Sequence, residues 1–176
     1  MLSADQAAFL ESCRVGHLAT VDPSGQPHVV PVCFAYLNAA LYTPIDQKPK
    51  RGDPLSLRRV RNLLANPAVC LTVDRYDEDW SRLAWLQLRG RAALVDDTAE
   101  RAAALASLRR RYRQYLAMEL ESRPLIRIGP ERVVAWAAGG ALTSAAPAPR
   151  PTTRTRRGRG PADSPARDTP RAAGAW

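Results

Sequence analysis

Two short stretches concentrate the side chains that could do chemistry. From Thr43 to Pro67 the chain reads TPIDQKPKRGDPLSLRRVRNLLANP, setting Lys48, Lys50, Arg51, Arg58, Arg59 and Arg61 against only Asp46 and Asp53. Cations on a loop that leads into a helix suit a phosphate or carboxylate. Guanidinium groups fork onto oxyanions, and the N–H groups of a helix start point the same way. Thr43 adds a hydroxyl donor. Spacing alone fits a solvated basic face equally well. A nucleic-acid track would add exposed aromatics or a reading module, and neither stands beside this loop. The second stretch, DEDWSRLAW from Asp77 to Trp85, joins acids to Arg82 and two tryptophans. Trp80 and Trp85 are either core or interface aromatics, or a face for a flat redox ring.

Protein-borne catalysis has little else to work with. His17 and His28 are the only histidines, and no acid lies at a metal-ligand spacing from either. His17 reads as a histidine lodged in a strand, and His28 opens a strand where it can line a pocket. G-x-S-x-G, G-x-G-x-x-G, P-loop and H-E-x-x-H patterns are all missing. No residue is therefore named as catalytic or as a metal ligand. An enzyme built on this sequence would take its chemistry from a cofactor. Cys13, Cys33 and Cys70 are isolated and odd in number, which suggests neither a zinc site nor a disulfide framework. A reducing cytoplasm is the simplest setting.

The formal charge of +9 invites a nucleic-acid reading until it is divided. Residues 141–176 hold seven arginines and two aspartates, a net +5, which leaves a net +4 on the first 140 residues. Most of the basicity belongs to the tail, whose attraction for nucleic acid would be nonspecific and salt-sensitive. With 176 residues, 45% of them hydrophobic, the chain suits one compact domain. No run of 18 apolar residues suggests a membrane span, and MLSADQAAFLESC lacks the layout of a secretory signal.

The elements that must position these residues follow from pattern. Ser3-x-x-Gln6 opens a short helix as a capping box. Strands are expected at 16–21, 27–36 and 40–43, the first two joined by the turn Asp22-Pro23-Ser24-Gly25. A basic helix runs from about Leu55 to Ala65 and stops at Asn66-Pro67. Strands follow at 68–74 and about 83–95, then a helix capped by Asp97 to about Tyr112. PLIRI and RVVAW supply two closing strands. The whole reads as mainly β with helices, an α+β antiparallel barrel of about six strands. The domain is 1–138. Residues 139–176, rich in Ala, Pro and Arg, are a disordered tail, because they cannot bury enough apolar surface to offset ordering.

The order GHLATVDPSGQPHVVPVCF, LYTPIDQKPKR, RRVRNLLANPAVCLTVDRYDEDWSRLAWLQLRGRA resembles the pyridoxamine-phosphate-oxidase-like split β-barrel family. Within it, the KPKR, YDEDWSRL and RYRQY segments are similar to the branch of F-420-dependent (deazaflavin-dependent) oxidoreductases. The likeness covers about residues 1–137; the arginine-rich tail lies outside it. It implies a homodimer of six-stranded split barrels with cofactor sites at the subunit interface. It also implies that His28, Val29, Val30 and Pro31 run along the edge of the ring, with Tyr42 and Thr43 near the ring and ribityl chain. Lys48, Lys50, Arg51, Arg59, Arg61 and Asn62 would hold the phosphate and glutamyl tail, and Trp80, Arg82 and Trp85 would come from the partner subunit. Gly52-Asp53-Pro54 is less basic than the family pattern there. The implied activity is hydride transfer from reduced F-420 to a small unsaturated or conjugated acceptor. The alternatives are an FMN-dependent oxidase or reductase of the same fold, or a non-catalytic flavin- or haem-binding protein.

Overall fold

The computed structural model describes residues 1–46 and 53–143. The expected disordered tail therefore falls almost wholly outside the described residues, as do Lys48, Lys50 and Arg51. Three helices, α1 (Ala4–Ser12), α2 (Arg58–Ala65) and α3 (Thr98–Arg111), accompany seven strands. These are β1 (Gly16–Val21), β2 (Pro27–Val32), β3 (Ala35–Leu37), β4 (Ala40–Pro44), β5 (Ala68–Arg75), β6 (Ala84–Leu94) and β7 (Leu125–Ala137). They form one antiparallel sheet in the order β2-β1-β5-β6-β7-β4-β3. The two edge strands, β2 and β3, are separated in the chain only by Cys33 and Phe34. Three residue steps reach at most about 10 Å, so the opposite edges of the sheet must meet there. The sheet is curled into a half-barrel, the α+β split barrel expected.

The strand count is seven rather than six, and two local events explain the difference. The segment expected as one strand from 27 to 36 breaks at Cys33–Phe34. The Phe34 N–H donates to the Tyr112 hydroxyl (3.1 Å), and that hydroxyl lies 3.0 Å from the Phe34 carbonyl. The Phe34 N–H is thus satisfied by a side chain instead of a ladder, and the single hydroxyl proton is shared between the Phe34 carbonyl and that of Arg14 at 2.9 Å. Conversely, PLIRI and RVVAW join into the single strand β7, which pairs with β6 through a bulge at Arg89/Gly90. Tyr112→Phe would leave the buried Phe34 N–H without its acceptor. It is expected to cost roughly 1–3 kcal/mol, read as a lowered midpoint in urea with an unchanged slope.

The core has two parts. Leu18, Leu71, Val73, Leu86 and Leu88 point into the half-barrel, where Phe9 and Leu10 of α1 and Val60 and Leu63 of α2 close over them. Leu105, Leu108 and Tyr112 pack with Tyr42, Tyr115 and Leu125 in the second cluster, under α3. α1 begins with the expected capping box and α3 with Asp97 accepting from the Glu100 N–H at 2.6 Å. α2 starts three residues later than expected, because Asp53 caps a separate 3-10 turn at Pro54–Ser56. The arginines of α3 mostly face carbonyls: Arg101 donates to Val95 and Arg123, Arg109 to Tyr115 and Met118, and Arg111 to Glu11 and Cys13. That helix is basic because it staples loops. Among the described residues no helix is long and apolar enough to cross a membrane.

Candidate functional site

An open cleft of about 520 Å³ lies between the β1–β2 turn and α2, lined by Asp22, Pro23, Arg58, Arg61, Asn62 and Ala65. Its placement follows from local chemistry. Asp22 Oδ1 accepts from the Ser24 N–H (2.9 Å), the Ser24 hydroxyl (2.6 Å) and the Gln26 N–H (2.9 Å), and Gly25 takes φ 86 to complete the turn. The Ser24 hydroxyl, the Gln26 amide and Arg58 together hold the Asp22 carboxyl down to about 2. Its second oxygen, Oδ2, faces Arg58 Nη2 at 3.1 Å.

On α2 the apolar residues Val60 and Leu63 turn inward, which sends Arg58 and Arg61 to the cleft. Buried Asn62 stitches the helix to the sheet: its Nδ2 donates to Thr20 Oγ1 (3.0 Å), and Thr20 donates to the His28 carbonyl (3.4 Å). Arg61 has no acidic partner among the described residues. Arg59 turns elsewhere. Burial lowers its pKa, while Asp46 and Tyr115 act against that shift. The expected cationic cluster is therefore divided, with Arg58 and Arg61 at the cleft and Arg59 towards the end of β4.

His28, on the same stitched unit, has a buried Nδ1 with no hydrogen-bond partner. Burial lowers its pKa below the ordinary 6.5, and the nearby charges of Arg58 and Arg59 lower it further. His28 is thus a neutral imidazole at pH 7. The folded state resists protonating it and the unfolded state does not, so stability falls as pH drops below about 6.5. We expect the His28 Cε1–H resonance to titrate below 6.5 and its midpoint to rise when added phosphate neutralises the arginines. An unmoved midpoint would separate His28 from the cleft.

The other expected site residues lie apart from this group. Val29 (57% exposed) and Pro31 lie on the outer sheet face, whereas Val30 packs against the barrel core. Tyr42 is buried under α3; its hydroxyl donates to Glu100 Oε1 (2.6 Å), which also pairs with Arg127 (3.1 Å). Burial and Glu100 raise the Tyr42 pKa. Thr43 is buried beside it in β4. Trp80 is 69% exposed, and Arg82 is held by Asp77 (3.7 Å) and Asp79 (3.4 Å). Trp85 stands in register with Trp136 and Asp74. Asp74 is six residues along β5 from Ala68, which follows the end of α2. At 3.3 Å per residue the tryptophan end lies roughly 20 Å from the cleft. One chain does not bring the two halves of the expected site together.

Arg58 and Asp22 belong to the cleft but were not among the expected site residues. Arg58 stood in the basic run without being singled out, and Asp22 read only as a turn former. The pairing joins residues 36 positions apart, beyond any local signal.

The family model for pyridoxamine 5'-phosphate oxidase matches residues 2–137. A conserved hypothetical protein from Mycobacterium tuberculosis superposes with a TM-score of 0.65 at 23% identity, covering 78% of this chain and 86% of that one. An FAD-binding protein from Mesorhizobium loti gives 0.56 at 27% identity, covering 76% and 92%. The heme storage protein HutZ of Vibrio cholerae gives 0.58 at 22% identity, covering 76% and 92%. The first and third likenesses speak for the fold alone. No curated protein matches the sequence.

Proposed function

The chain belongs to the pyridoxamine 5'-phosphate oxidase family, and we propose that it is an oxidoreductase that binds reduced coenzyme F-420 and reduces a small unsaturated acceptor. The observation that carries this reading is the cleft itself. Arg58 and Arg61, the latter with no acidic partner among the described residues, flank a space of about 520 Å³, and His28 lies close enough to Arg58 to feel its charge. A ligand with an anionic arm and a polar ring fits those groups, and the volume is that of a small-molecule site. When bound, the deazaflavin ring supplies the hydride.

The protein's own residues bind and orient. Arg58 and Arg61 hold the anionic arm, Asn62 fixes the helix that carries them, and β2 from His28 to Pro31 lies along the ring. The neutral His28 offers a hydrogen-bonding nitrogen without adding charge. No side chain is assigned a proton transfer. Two copies make the complete site. Val29 on β2 and Trp136 on β7, at 57% and 46% exposure, are apolar side chains that a second copy would cover. That copy would bring Trp80, Arg82 and Trp85, which lie too far from the cleft of their own chain, and would exclude water from the ring.

The long polyanionic arm of F-420 calls for more cations than a single terminal phosphate, and the Thr43–Pro67 segment holds six. A second reading, a flavin enzyme using FMN or FAD, draws on the 27% identity to an FAD-binding protein. Separate titrations of the purified protein with F-420 and FMN, followed by fluorescence and absorbance, decide between them. Saturable binding of F-420 is expected. Binding of FMN but not F-420 would replace the first reading by the second.

A further inference from the structure

Asp22 is an acid placed inside what is otherwise a cationic cleft. Its Oδ1 is occupied by three donors of its own turn, so the turn fixes its position whether or not an arginine is present. Arg58 is the adjustable member: its side chain is 48% exposed against 21% for Asp22, and the pair meets through one contact at 3.1 Å. Because the turn's donors, led by the Ser24 hydroxyl, together with Arg58 hold the carboxyl at a pKa of about 2, Asp22 stays charged at every working pH. Arg61, one helical turn on, has no such partner among the described residues. Among the described residues, an anion entering the cleft therefore finds Arg61 without an acidic partner and Arg58 already engaged.

We infer that Asp22 is a tethered competitor for Arg58, which a phosphate-bearing ligand displaces, and that this residue sets the cleft's affinity for phosphate. The inference rests on the reading that the cleft receives the anionic arm of the cofactor. Its consequence is selectivity. Among the described residues a free anion gains only Arg61 for breaking the pair, whereas a ligand anchored elsewhere by its ring holds its phosphate against Arg58 long enough to displace the carboxylate.

Asp22→Asn tests the inference with little disturbance, because its amide oxygen can still accept from Ser24 and Gln26. Binding of FMN and of F-420 is measured by fluorescence for the wild type, Asp22→Asn, Arg58→Gln and the double variant. Asp22→Asn is expected to bind about three- to fivefold tighter, the range that loss of an exposed ion pair allows. That gain should vanish in the Arg58→Gln background. Unchanged or weaker binding, or a gain that persists without Arg58, overturns the inference. A second readout keeps the two readings apart. The arginine Nε–H resonances are followed while inorganic phosphate is added. If neither cofactor binds any variant but phosphate moves the Arg58 signal at lower concentration in Asp22→Asn, the cofactor reading fails and the competitor role stands. If phosphate moves that signal in neither protein, or equally in both, the competitor role falls.

Discussion

Gly90→Ala is expected to destabilise the domain by roughly 3 kcal/mol or more, at the upper end of what overpacking costs. A Cβ at this position would lie 2.0 Å from the Gly129 carbonyl oxygen and 2.9 Å from Pro130 Cα. These are backbone atoms of the neighbouring strand, and no rotamer can move them aside. The contact sits at the bulge, where Arg89 pairs with Arg132 and Gly90 with Pro130, so that Glu131 is the extra residue of β7. Strand β6 also pairs with β5, so forcing β6 and β7 apart opens the middle of the sheet. Gly129 supplies the control: its Cβ would meet only the flexible Arg127 guanidinium within 3.4 Å. Gly129→Ala should cost far less. In thermal unfolding, Gly90→Ala should fall by about 10 °C for a domain of this size. Equal midpoints for the two variants would show that the bulge relaxes, contrary to this account.

The second large effect is on binding. Replacing both Arg58 and Arg61 by glutamine should weaken cofactor binding by about 100-fold. Each guanidinium is expected to make a charge-assisted contact, and such contacts contribute about 1.5–3 kcal/mol each before solvent screening reduces them. The fold should be unaffected. Arg61 has no ion-pair partner among the described residues, and the Arg58–Asp22 pair is exposed enough for its loss to be small. Unchanged circular dichroism with lost binding is the expected pairing of results. Retained affinity would move the anionic arm away from this cleft.

The contrast between these positions shows what was legible in the sequence. Strand β1, the Asp22–Gly25 turn, the Ser3 and Asp97 caps and the alternation of β6 are local patterns, and the structure contains them all. The closing topology depends on longer reach. The strand break at Phe34 comes from Tyr112, 78 residues away, and no residue near Phe34 announces it. Gly90 did carry a signal, since a lone glycine within an alternating strand marks a bulge or a close backbone approach. At the site, the basic helix was visible as charge. How that charge is distributed was not, because it depends on which face of α2 packs against the barrel. That packing turns Arg58 and Arg61 out to the cleft and Arg59 in towards Asp46. The tryptophan segment is legible as chemistry, yet it lies at the far end of β5 from the cleft. In the proposed function a second copy unites them.

That division makes the central claim open to one direct measurement. A chain carrying Arg58→Gln and Arg61→Gln is mixed with a chain carrying Trp80→Ala and Arg82→Gln, each of which should bind F-420 only weakly alone. If each site takes α2 from one copy and the tryptophan segment from its partner, a mixed pair contains one site with every defect and one with none. Equilibrium dialysis should then find one tightly held F-420 per mixed pair. Recovery of no binding on mixing, or wild-type binding by the Trp80→Ala, Arg82→Gln chain alone, would contradict a site shared between two copies.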